Sequence, residues 1–121
     1  MKLWYSNSSP YARKARAVVQ YHQLQDHVEL LLATSGLDKN SPHNLDNPLG
    51  RLPALQQENG EWLYNSSLIA EYLDHIGTQP SLYGNSETRW EILRLHYLAD
   101  GILENEISVA PEKCLRPQEQ W

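Results

Sequence analysis

Asn47-Pro48-Leu49-Gly50-Arg51-Leu52-Pro53-Ala54-Leu55 is the stretch on which the fold turns. Its first four residues place Asn, Pro and Gly at the first, second and fourth positions of a type I turn, where each is favoured. Pro53 to Gln57 then reads as a short strand; proline is tolerated at a strand's first residue because it need not donate to the ladder there. Glu61 to Tyr64 reads as its partner across Asn59-Gly60, a dipeptide that predicts a two-residue hairpin turn. Ser66 stands as a candidate cap for the helix that follows. Its apolar stripe is Leu68, Ile69, Tyr72, Leu73 and Ile76, and Gly77 ends it.

Upstream, Lys2 to Ser6 is a short apolar run closed by Asn7-Ser8-Ser9-Pro10, the pattern of a buried strand and a turn. Tyr11 to His22 carries Tyr11, Ala15, Val18, Val19 and His22 at helical spacing, with Pro10 suited to the first turn. Val28 to Ala33 is a second apolar strand. Strand, helix and strand in this order predict a βαβ unit with parallel strands and a right-handed crossover. Thr34 to Asp46, with Gly36 and Pro42, reads as a loop holding at most one helical turn. Thr78 to Asn85, with Pro80 and Gly84, reads as a linker. A new helix is expected from Ser86, with Leu93, Tyr97 and Leu98, or Ile92, Leu95 and Ile102, as inward faces, and a break at Ala110-Pro111. Arg116-Pro117 suggests one more helix start.

Composition narrows the function. The chain has 121 residues, 40% hydrophobic and 21% charged, with a net charge of -5. Lys and Arg are scattered, which argues against nucleic acid as a partner. A single cysteine, Cys114, excludes a disulfide within the chain and fits a reducing compartment. No secretory signal and no membrane-spanning apolar run are read, so a cytoplasmic location is expected. The five histidines, His22, His27, His43, His75 and His96, lack metal-ligand spacing and show no carboxylate partner, so packing or surface roles and no metal are expected.

The order βαβ then ββα, with a proline opening the third strand, is similar to the thioredoxin fold. Ser9-Pro10-Tyr11, the stretch from Asn47 to Leu55, and Asn65-Ser66 before Ile69 and Tyr72-Leu73 narrow this resemblance to glutathione S-transferases, in particular the bacterial omega-like and related groups. Arg89 to Ile102, with Ala99-Asp100-Gly101, resembles the first helix of that family's all-helical second domain. The resemblance implies an α/β thioredoxin-like domain over residues 1–77, a linker over 78–85, and the incomplete start of an all-helical domain over 86–121.

It also implies a site. The Leu52-Pro53 bond is cis in the family, which turns the N–H and C=O of Leu52 toward an extended peptide, the cysteinyl unit of glutathione. Ser66, at a helix N-terminus, would hold the γ-glutamyl carboxylate. Asn65 stands where relatives carry Glu or Asp against the γ-glutamyl ammonium. Losing that charge predicts weaker glutathione binding. Ser9-Pro10-Tyr11-Ala12 occupies the place of a Cys-Pro-Tyr-Cys redox motif with both cysteines gone, which removes dithiol exchange. Ser9 would instead donate to the glutathione thiolate, with Ser8 as the rival donor and Asn7 assisting. Lowering a thiol pKa by about two units needs about 2.7 kcal/mol, within reach of one charged hydrogen bond and a helix terminus. Tyr11 would lie against glutathione, pack in the core, or both. Lys39 is a weak candidate for the glycyl carboxylate and reads more simply as a surface lysine.

The implied function is a glutathione transferase with glutathione as co-substrate, acting as a homodimer on a small electrophile or a mixed disulfide. The alternative is a non-catalytic glutathione-binding or protein-interaction module that keeps the fold.

Overall fold

A computed structural model gives the fold and describes residues 1–34 and 38–115. Gly36 and Arg116-Pro117 lie outside the described residues, as does the side chain of Cys114. The elements run β1 (Lys2–Tyr5), α1 (Pro10–Tyr21), β2 (Glu29–Leu32), α2 (His43–Asp46), β3 (Ala54–Gln56), β4 (Trp62–Tyr64), α3 (Ser66–Ile76) and α4 (Arg89–Leu115). The chain divides into two compact units, Met1–Leu82 and Tyr83–Trp121.

In the first unit the four strands form one mixed sheet in the order β2-β1-β3-β4. β1 and β2 are parallel, with Leu3 opposite Leu30. β3 runs antiparallel to both β1 and β4, with Ala54 opposite Trp4 on one side and Tyr64 on the other. This is the expected thioredoxin-like arrangement, and the parallel pair is joined by the helical crossover such pairs require.

One core fills the space between the sheet and helices α1 and α3. Leu3 and Leu55 from the sheet meet Ala15, Val18 and Val19 of α1 and Ile69, Ala70 and Leu73 of α3, all buried. The buried face of α1 is Ala12, Ala15, Val18 and Val19, with Tyr11 only half-buried at its start. In α3 the expected stripe shifts: Leu68 is exposed, while Ala70 and Asp74 turn inward. Ala70 fits because a small residue lets two helices approach closely, a contact the hydrophobic pattern alone does not rank.

Asp74 is buried because it is paired. Its carboxylate accepts from the Ser81 hydroxyl at 2.6 Å, the Leu82 N–H at 2.7 Å and His22 Nε2 at 2.8 Å. His22 Nδ1 accepts from the Gln79 N–H at 3.2 Å, which leaves Nε2 to carry the donated proton. The sequence reading gave His22 no carboxylate partner; the structure supplies one 52 positions away in the chain. Burial alone would push the Asp74 carboxyl up, but the Ser81, Leu82 and His22 hydrogen bonds outweigh it and hold it below its ordinary value. The pair ties the end of α1, α3 and the segment from Gln79 to Leu82 together.

Two turns differ from their simplest reading. Gly60 N–H bonds to Gln57 C=O at 3.1 Å, and Gln57 N–H bonds to Glu61 C=O at 2.8 Å. The hairpin loop is therefore three residues long, with only Gly60 at positive φ (+88°), rather than a two-residue turn. The type I turn at 47–50 forms as expected, closed by Gly50 N–H to Asn47 C=O at 2.9 Å.

In the second unit, Asn85 Oδ1 accepts from the N–H groups of Glu87 and Thr88 and starts α4 at Arg89 rather than Ser86. The helix runs on through Pro111 to Leu115, correcting the expected break. A proline removes one intrahelical bond, to the Ile107 carbonyl here, and the turns on either side can still carry the helix across it. Leu95, Tyr97, Leu98 and Ile102, expected to face inward, are exposed. His96 lies 3.6 Å from Asp100 one turn on, again a carboxylate partner that the sequence reading lacked.

Candidate functional site

Strand register decides which residues meet. Trp4 pairs with Ala54, and Ala54 pairs with Tyr64. The end of β1, the start of β3 and the end of β4 therefore lie at the same end of the sheet. The segments flanking those strands there are Ser6 to Ser9, Leu52-Pro53 and Asn65-Ser66. Both α1 and α3 begin at this end, so two helix N-termini, each with unpaired N–H groups and a partial positive charge, are delivered together. The sequence-predicted residues Ser9, Tyr11, Leu52, Pro53, Asn65 and Ser66 all belong to these three segments or to the first turn of α1.

Ser9 is the N-cap of α1. Its Oγ accepts from the Ala12 N–H at 3.1 Å, and its carbonyl takes the Arg13 N–H at 3.0 Å. A hydroxyl that caps as an acceptor keeps its own proton for another acceptor. Ser8 is exposed, and its Oγ lies 3.5 Å from that of Ser6. Tyr11, half-buried in the first turn, sits two residues past the cap.

The Leu52-Pro53 peptide bond is cis. Among the described residues, nothing pairs with the backbone N–H or C=O of Leu52. The approach to it is braced from beneath. His43, fully buried, pairs through Nδ1 with the Ser41 hydroxyl at 2.7 Å and through Nε2 with the Gly50 carbonyl at 3.0 Å. Asn47, also buried, donates from Nδ2 to the Arg51 carbonyl at 2.7 Å and accepts from the Leu49 N–H at 2.9 Å. Trp4 Nε1 donates to the Asp46 carboxylate at 2.7 Å, and the Tyr64 hydroxyl donates to the Asp46 carbonyl at 3.1 Å. The sequence marks Asn47 only as a turn residue and His43 only as a packing or surface histidine, and it gives Ser41, Asp46, Trp4 and Tyr64 no bracing role. Ser, His and Asn are common in any loop, and only the fold reveals that Ser41, His43 and Asn47 are buried.

Asn65 rather than Ser66 caps α3. Its Oδ1 accepts from the Ser67 N–H at 2.8 Å, and its backbone holds φ +74° and ψ 122°. For a residue with a Cβ this is a sparsely populated conformation, of the kind that costs on the order of 1–3 kcal/mol. Ser66 becomes the first helical residue, 7% exposed, and its hydroxyl has no partner among the described residues. Next to it, Lys14 Nζ, one turn into α1, donates to Oγ of Ser67, the second residue of α3, at 3.2 Å and joins the two helices near their starts. Lys39 lies apart in the loop before α2, exposed, with its carbonyl accepting from Asn44 Nδ2 at 3.0 Å.

Among the described residues there is no group of three or more His, Cys, Asp or Glu placed to hold a metal ion. No helix among them is long and apolar enough to cross a membrane.

Solved structures share this frame. A glutathione transferase family member from Pseudomonas fluorescens Pf-5, solved with bound glutathione, is 36% identical with a TM-score of 0.89 over 99% of this chain and 60% of its own. A glutathione S-transferase from Methylobacillus flagellatus KT, also solved with glutathione, is 36% identical with a TM-score of 0.86 over 97% of this chain and 56% of its own. The uncharacterized GST-like protein YibF of Escherichia coli K12 is 29% identical over 131 residues, covering 99% of this chain and 58% of the relative. The chain thus spans under two thirds of the length of these relatives. The family model for the glutathione S-transferase N-terminal domain matches residues 8–76, more than half of the chain, and the chain belongs to the glutathione S-transferase family.

Proposed function

We propose that this chain is the glutathione-binding part of a glutathione transferase, with Ser9 as the residue that activates the glutathione thiol. The observation that carries the reading is the register that gathers two helix N-termini and the unused backbone pair of Leu52 at one end of the sheet. Glutathione is an extended peptide with a thiol in its middle and a carboxylate at its γ-glutamyl end. Its cysteinyl N–H and C=O pair with Leu52 across Pro53, as a strand adds to a sheet edge. Its γ-glutamyl carboxylate takes the N–H groups at the start of α3 and the Ser66 hydroxyl.

The thiol then lies toward the start of α1. Ser9 Oγ, already an acceptor for Ala12, turns its proton to the sulfur; with the positive end of α1 this favours the thiolate, the thiol proton leaving to solvent. The thiolate attacks an electrophilic carbon, the S–C bond forms, and the leaving group departs with its electron pair. Tyr11 lies along the bound peptide. On the same reading the protein works in the cytoplasm as a homodimer, on a small electrophile or a mixed disulfide.

Asn65 favours a second reading, a glutathione-binding module without turnover. Its amide caps α3 but offers no charge to the γ-glutamyl ammonium. Calorimetric titration of the full chain with glutathione, beside Ser66→Ala, tests the site; saturable heat that weakens in the variant supports it, and a folded chain giving no saturable heat removes it. Turnover of an activated aryl chloride that collapses in Ser9→Ala while binding persists selects the enzyme. Binding without turnover in every longer form of the chain selects the module.

A further inference from the structure

β2 is an edge strand, and its outer edge is open. Glu29 N–H bonds to Met1 C=O at 3.0 Å and Ala33 N–H to Tyr5 C=O at 2.8 Å. In a parallel ladder alternate residues bond the neighbouring strand, so with Glu29, Leu31 and Ala33 facing β1 the residues between them turn their N–H and C=O groups outward. Those residues include Leu30 and Leu32, and among the described residues nothing pairs with their outward backbone groups. Their side chains share the face of Leu3 and Tyr5, the face covered by α1, yet they are 43% and 57% exposed because the helix does not reach the edge.

A groove of about 340 Å³ opens between α1 and this edge at Leu30, lined besides by Gln25 and by Arg13, Arg16, Ala17, Val19 and Gln20 of α1. Arg13, Arg16, Ala17 and Gln20 recur at three- and four-residue spacing and form one stripe of the helix. From Arg13 to Gln20 that stripe is about 10 Å long, the length of about three residues of strand. The crossover makes α1 antiparallel to β2, so the two arginines lie toward the Leu32 end. Arg16 fixes this placement by lying 4.5 Å over the Tyr5 ring at the end of β1. Neither guanidinium has a carboxylate partner among the described residues. The acidic groups nearest in sequence face elsewhere or lie outside the groove: strand alternation turns Glu29 to the opposite face beside Lys2, and Asp26 is exposed in the turn before β2.

We propose that this groove docks an acidic, extended peptide segment of a partner protein, which adds as a fifth strand beside β2. Backbone bonds to Leu30 and Leu32 supply the pairing. An apolar side chain packs on the exposed leucines, and a carboxylate two positions away on the same face takes Arg13 and Arg16. The unpaired positive charge selects an acidic partner. The groove uses none of the residues of the glutathione reading: Leu52 and Ser66 lie on other strands and helices, and Ser9 caps α1 ahead of Arg13 without lining the groove.

The test is an amide-resolved NMR titration of the full chain with the blocked peptide acetyl-Thr-Val-Thr-Glu-Thr-amide. The expected result is saturable movement of the Leu30 and Leu32 amide signals. Binding falls about ten-fold or more with the Lys-for-Glu peptide and in the exposed-site variant Arg13→Glu, and it is lost with a backbone N-methylated peptide. Raising salt from ~50 mM to ~500 mM weakens it. No saturable movement at millimolar peptide would overturn the proposal, as would binding that Arg13→Glu leaves unchanged. So would Leu30 and Leu32 signals that move with protein concentration alone, which would give the edge to a second copy of the chain.

Discussion

Replacing Asp74 with alanine removes the acceptor of three hydrogen bonds at once, from Ser81, Leu82 and His22. Each bond to a charged group contributes about 1.5–3 kcal/mol, but the three share one carboxylate and do not add. Breaking a buried pair by removing one partner typically costs about 3–5 kcal/mol. We expect Asp74→Ala to lose about that much at neutral pH, a large part of the roughly 5–15 kcal/mol that holds a domain of this kind. Urea unfolding followed by circular dichroism measures it. Ser81→Ala, which removes one donor, should cost about half as much or less.

The pH dependence carries a sign. The Asp74 carboxyl is held below its unfolded value. Its contribution is therefore complete above the unfolded pKa of about 3.9, and it is lost as pH falls from there through the lower folded value. The gap between wild type and Asp74→Ala should be widest near neutrality and narrow in acid. A loss under about 1 kcal/mol at pH 7, or a gap that stays constant into acid, would refute the account of a buried, ionised anchor.

Ser9→Ala should cost about 0.5–2 kcal/mol of stability through the lost cap and should abolish turnover far beyond that effect, whereas Ser9→Thr should keep both in part; stability curves and steady-state rates separate the two. Asn65→Asp keeps the side-chain acceptor for Ser67 N–H and adds negative charge at the start of α3. It should stabilise by about 0.3–1 kcal/mol and tighten glutathione binding in calorimetry, with binding the decisive readout. Gly77→Ala should destabilise by about 1–3 kcal/mol or more in thermal unfolding, because its Cβ would collide with the buried His22 ring, which Asp74 and Gln79 hold in place. Gly50→Ala combines a φ of +60° with a Cβ 2.7 Å from Asn44 Oδ1 and should loosen the turn before Leu52, lowering glutathione affinity together with stability.

The strands and their succession along the chain were legible because each signal was local. The apolar runs of β1 and β2, the turn residues at 47–50, and Pro53 before Ala54 each limit their own stretch of backbone to few conformations. The residues proposed for the candidate site were legible for the same reason, since they sit at element boundaries where residue type is constrained. What stayed hidden depends on distant partners. Asp74 read as an ordinary polar position of a helix until the fold brought His22, Ser81 and Leu82 around it. His43 and Asn47 are buried where they bond the Gly50 and Arg51 carbonyls ahead of β3, contacts that only the fold brings about. The cap of α3 was misplaced by one residue because Asn and Ser are equally good caps, and the positive φ that places Asn65 there leaves no trace in sequence. Pro111 misled because its local rule is strong while the helix leading up to it, from Arg89, is long.

The register that gathers Ser9, Leu52 and Ser66 has a converse at the other end of the sheet. There the chain reverses through the Glu58-Asn59-Gly60 loop and through Gln23 to His27, and both stretches are largely open to solvent. The two ends are separated by the full length of the strands, so lengthening either reversal leaves the spacing of the three segments untouched. An epitope or a fluorescent reporter spliced at Asn59 would ride on the molecule without disturbing its chemistry. Descendants of such a chain can change length and surface at one pole while the other remains fixed by hydrogen-bond geometry.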